Sequence, residues 1–145
     1  MKDSKVTLIA IVALVVLAGG SIVATQVFKT PPVPDAEVLS RTGLHWHPEL
    51  IIFVKGERQG IPADIGISAV HNPIHTHDAT GVIHLEMSGV VRISDTTLGQ
   101  FFKVWGKTFA DFGTTTPRMT VNGIANAQLL DYPMKDKDKI ELSFE

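Results

Sequence analysis

The chain has 145 residues, with 13 basic against 15 acidic side chains and no cysteine. That length suits one domain with an accessory segment, and the lack of thiols excludes disulfides and thiolate–metal chemistry. The one tight basic cluster, Lys135 to Lys139, alternates with Asp136 and Asp138, which argues against nucleic-acid binding.

Val6 to Phe28 is a 23-residue stretch without a charge. At about 1.5 Å per residue it can cross a hydrocarbon core of about 30 Å. Lys2 and Lys5 precede it and Lys29 follows, so the positive-inside pattern puts the N-terminus in the cytoplasm. Residues 1–29 therefore read as a single-pass anchor embedded in membrane lipid. A cleaved secretory signal is the alternative. Leu8–Ala18 is an apolar run of signal length, and Gly19-Gly20-Ser21 or Ile22-Val23-Ala24 could host cleavage. Either reading makes the rest of the chain extracytoplasmic. Residues 30–43 form a stiff spacer led by Pro31, Pro32 and Pro34. The domain proper is then 44–145. From Pro31 onward ten basic and fourteen acidic side chains give a net charge of −4.

Leu50 to Val54 is a β-rich run, and Lys55-Gly56-Glu57-Arg58 reads as a turn. Ile61 to Ile67, with Pro62 and Gly66 among three isoleucines, predicts an irregular or edge strand. Ile74–His77 and Val82–Glu86 predict a hairpin whose second arm continues past Gly89 through Val90–Ser94. Asp95-Thr96-Thr97 precedes a helix: Leu98, Phe101, Phe102 and Trp105 follow the i, i+3, i+4, i+7 pattern, and Gly106 suits its C-cap. Helical spacing assigns these aromatics, with Phe109, to the core. Met119 to Ile124 predicts a hairpin on Asn122-Gly123. Lys139 to Glu145 alternates as a terminal strand. The expected fold is α+β: a compact domain of several short antiparallel strands and hairpins with one helix, preceded by the transmembrane helix.

All six histidines fall between His45 and His84. Side chains alternate along a strand, so His75 and His77 share a face, as do His84 and Glu86. A four-residue loop, Asp78-Ala79-Thr80-Gly81, pairs His77 with Val82 and His75 with His84. All four side chains then point the same way. Paired positions about 4.5–5.5 Å apart let imidazoles from both arms reach one ion. His45 and His47 form a second His-x-His, joining this site or making one beside it. Glu86 is either a ligand or an orienter of an imidazole. Asp78 reads as a turn residue. The candidate metal ligands are His75, His77, His84, His45, His47 and Glu86. With nitrogen and oxygen donors the ion is copper first and zinc next. Met87 and Met119 could add a thioether but read as core. No serine stands in a nucleophile elbow, and no phosphate loop is present.

The His-x-His with a third histidine across from it resembles, locally, the three-histidine zinc site of animal-type carbonic anhydrases. That likeness implies a coordination position left open for water. Longer phrases resemble a family of small bacterial and archaeal proteins with an N-terminal membrane segment or signal. The matching phrases are His45-x-His47, Ile61-Pro-Ala-Asp-Ile-Gly-Ile67, His75 through Glu86, and Leu98 through Gly106. The family carries no established activity, so the resemblance implies location and an intact motif but no reaction. His71 lies outside these phrases.

Three functions fit the pattern. The first is an anchored protein that binds or buffers copper or zinc, or delivers it to a neighbouring membrane protein complex. The second is a three-histidine hydrolytic or hydratase enzyme with Glu86 as base. The third is a structural subunit of a membrane complex or surface filament, with a metal-stapled hairpin.

Overall fold

The computed structural model describes residues 33–113 and 115–145. The anchor assigned to 1–29, and the first residues of the spacer, lie outside them. The folded unit runs from Pro34 to Glu145. Among the described residues it is α+β, mostly strands with one α-helix.

The main sheet is built from β3 (Glu49–Val54), β4 (Glu57–Gln59), β8 (Arg118–Val121), β9 (Ile124–Ala125) and β10 (Lys139–Phe144), in the order β4-β3-β10-β8-β9. Two tight turns start it. Lys55-Gly56 and Asn122-Gly123 both hold left-handed backbone, φ 50° and 82°, and 54° and 80°. Such primed turns match the twist of the strands they join. Glu57 and Arg58 thus belong to a strand rather than to the turn the sequence suggested. The expected antiparallel pairing holds at every seam of this sheet but one: β10 pairs with β3 in parallel, Ile140 beside Leu50 and Leu142 beside Ile52. Those four side chains are buried, and a strand placed between two others gains burial on its apolar face at both seams.

The second sheet has three strands, β2 (Leu44–Trp46), β6 (His84–Met87) and β5 (Ile74–His75), all antiparallel. A two-stranded ribbon joins β1 (Val38–Ser40) to β7 (Val91–Arg92). β1 therefore lies inside the stretch read as spacer, and Val91–Arg92 leaves the histidine hairpin for a different partner.

The helix α1 spans Leu98–Trp105, as the apolar spacing predicts, and buries Leu98, Phe101 and Phe102. Gly106 ends it at φ 70°, its N–H donating to the Lys103 carbonyl. Asp95 caps the 3-10 turn before the helix by accepting the Arg92 N–H at 2.8 Å. Phe102 packs edge-on to Phe109, which meets Phe144 of β10. The core runs from there through Ile52, Leu142 and Met134 to Leu85 and Ile74 under the second sheet.

The segment Ile61–Ile67 is no strand but a turn. Asp64 (φ 61°) and Gly66 (φ 74°) both take left-handed backbone, which a ladder does not accommodate. Its polar groups are satisfied by Thr76 instead.

Candidate metal centre

The second sheet has two unlike faces, and strand alternation explains both. Leu44, Trp46, Leu85, Met87 and Ile74 face the core. Their neighbours His45, Glu86, His84 and His75 point the other way. Register then sets the pairs: His45 stands opposite Glu86 and His75 opposite His84. The expected pairing of His75 with His84 is present. The expected pairing of His77 with Val82 is replaced, since Val82 bridges Glu49. The loop 76–83 still holds an even number of residues, so the two arms keep a common face.

Three anchors fix this face to the rest of the domain. The Leu50 N–H donates to the Gly81 carbonyl at 2.9 Å, and the Ile83 N–H to Pro48 at 2.8 Å. The Glu86 N–H donates to Pro73 at 2.8 Å. Thr76, fully buried between two histidines, donates from its hydroxyl to the Pro62 carbonyl at 2.9 Å and accepts the Ile65 N–H at 3.1 Å.

His75 is 2 % exposed. Its Nδ1 lies 2.9 Å from the Asn72 carbonyl. A carbonyl only accepts, so Nδ1 carries the proton and Nε2 presents its lone pair. That Nε2 lies 3.2 Å from Nε2 of His77. Two nitrogens bound to one tetrahedral ion at about 2.0–2.1 Å sit about 3.3 Å apart, so the pair already holds the spacing of two ligands. The same spacing also fits a hydrogen bond if His77 donates.

His84 stacks on His75, ring centroids 5.3 Å apart at 14°, and meets His77 at 4.5 Å edge-on. Its Nδ1 is the one buried side-chain nitrogen or oxygen without a hydrogen-bond partner among the described residues. Glu86 Oε1 stops 3.6 Å short of it. An orphaned buried nitrogen costs about 1–3 kcal/mol, and a bound ion would satisfy it. Burial lowers the His84 pKa below its ordinary value, and His47, His77 and His75 push it the same way. That direction favours the neutral ring, the form that ligates, against the smaller opposing effect of Glu86.

His75, His77, His84 and Glu86 each offer a ligand atom, all within 4.8 Å of one another. His45, His47 and His84 form a second such group. His45 Nε2 is 3.2 Å from Glu86 Oε1. The His47 N–H donates to Asp136 Oδ1 at 2.9 Å, which ties the β2 end to the charged turn before β10. All six candidates thus meet on one face.

Asp78 is occupied elsewhere. Its Oδ1 accepts the Thr80 hydroxyl and N–H, which lowers its pKa and closes the turn. His71 is exposed and belongs to neither group, its ring 6.0 Å from His75. Met87 and Met119 pack in the core. Three supporting residues escaped the sequence reading: Asn72, Thr76 and Asp136. Only Thr76 carried a signal, since a residue between two outward histidines must face inward.

No family model, curated protein or solved structure matches this chain.

Proposed function

We propose that this face binds a transition-metal ion through His75, His77 and His84, with Glu86 as fourth ligand or orienter. The 3.2 Å separation of the two Nε2 atoms, with His75 locked in the ligating tautomer, carries the reading. Copper is favoured and zinc follows, because imidazole and carboxylate donors without sulfur leave the Irving–Williams order to decide. The ligands grade from buried His75 to exposed His77, His47 and His45. An ion reachable from solvent on one side suits binding, buffering and delivery. With residues 1–29 as an anchor, the domain would work at the outer membrane–water boundary, handing the ion to a membrane partner.

Elemental analysis of the untagged full chain tests this. About one equivalent of copper or zinc is expected, lost in His84→Ala, which removes the one residue common to both groups, with circular dichroism as the check that the variant stays folded. A folded variant with unchanged metal sinks the assignment. Hydratase or hydrolase turnover lost in Glu86→Gln with metal retained would favour the catalytic reading instead.

A further inference from the structure

The two ligand groups are not independent, because both need His84. Its ring lies between them, 4.7 Å from His47 on one side and 4.5 Å from His77 on the other. A neutral imidazole has one lone pair, its other nitrogen carrying a proton. It therefore serves one ion at a time. Burial grades the groups as well: His75 of the inner group is 2 % exposed, while the side chain of His45 is 63 % exposed.

Resting on the metal-binding reading, we propose that the face holds a single divalent copper or zinc ion in two alternative positions that share His84. The inner position lies among His75, His77, His84 and Glu86. The outer position lies among His45, His47 and His84. An ion arriving from solution or from a donor is taken first by the exposed outer pair. It then moves inward by exchanging one imidazole at a time while His84 stays in reach. Glu86 stands at the junction, its Oε1 3.2 Å from His45 and 3.6 Å from His84. Each metal–imidazole bond that forms replaces one that breaks, a ring that changes its ligating nitrogen moves its proton to the other nitrogen, and the ion keeps its charge throughout.

The test is Cu(II) titration of the full chain, followed by calorimetry and electron paramagnetic resonance, with circular dichroism as a check on folding. Wild type should saturate at one ion. His77→Ala should still bind one ion, at least ten-fold more weakly and with a changed spectrum, because only the outer position remains complete. The His45→Ala/His47→Ala double variant should bind one ion with the wild-type spectrum, but load from a copper–glycine complex at least ten-fold more slowly. His84→Ala should lose both positions. Two ions bound together in wild type would overturn the shared-ligand proposal. So would a folded His77→Ala chain without copper, or unchanged loading in the double variant. A wild-type chain that refuses copper and zinc altogether would overturn the metal assignment beneath it.

Discussion

Thr76 shows how much of the site depends on a residue that never meets the ion. Its hydroxyl satisfies the Pro62 carbonyl and the Ile65 N–H in the interior. Thr76→Val keeps the volume and strands both backbone groups, a loss of about 2–3 kcal/mol. Urea unfolding of the metal-free chain should show that drop, and an unchanged midpoint would mean that water replaces the hydroxyl. Tyr132 makes a different statement. Its hydroxyl donates to Asp138 Oδ2 at 2.7 Å, and Asp138 also accepts the Lys135 N–H and the Asn122 amide. Burial raises the Tyr132 pKa, and the hydrogen bond and charge of Asp138 raise it further. The fold therefore prefers the neutral phenol. That stability is fully present below the unfolded value of 10.0 and drains away as pH rises above it. Wild type should lose stability between pH 10 and 12 more steeply than Tyr132→Phe, which has no proton to release. Parallel stability–pH curves would show that the phenol titrates normally.

Gly81 governs the histidine hairpin as an element. It holds φ at 95°, and a Cβ there would lie 2.4 Å from the Leu50 carbonyl oxygen. Gly81→Ala should cost at least about 2 kcal/mol from strain and displacement of the loop from β3, with a matching loss of copper affinity. Gly56→Ala is the control, since φ is also positive but nothing lies within 4 Å. It should cost about 1 kcal/mol and leave copper binding intact. Equal effects on affinity would dissociate the loop anchor from the site. Elements with purely local signals were legible in the sequence: α1 from its four apolar residues, the Asn122-Gly123 hairpin, and the pairing of His75 with His84. The rest depended on distant partners. Ile61–Ile67 looked like a strand because it carries three isoleucines, yet Ile61 and Ile65 reach the core from a turn. The hairpin loop looked four residues long, Asp78 to Gly81, because nothing local announces that Val82 will bridge Glu49. The six-residue constellation survived that error because parity, not loop length, decides which face a side chain takes.

Across the whole molecule, alternation tells which face of a strand is buried but not which strand lies beside it. Lys139–Phe144 was legible as a strand, while its parallel place beside β3 was not. That placement matters to the site. The turn before β10 carries Asp136, which receives the His47 N–H, and the Glu49 N–H donates to the Asp138 carbonyl. The candidate ligands come from β2 and the residue just after it, from β5 and β6, and from the loop between those two, and they meet only when the core beneath is formed. An ion bound there should therefore stabilise the folded state over the unfolded one. Free ion at a hundred times its dissociation constant adds about 2.7 kcal/mol, or about 10 °C in melting temperature for a domain of this size. Histidine pairs in the unfolded chain hold some copper and reduce the shift, so the informative quantity is a difference. Melts of wild type and His77→Ala, each with and without copper, should give a shift of about 10 °C in wild type and only a small one in the variant. A chelator should reverse both. Equal shifts would show the ion bound by local His-x-His segments, with no contribution from the folded face.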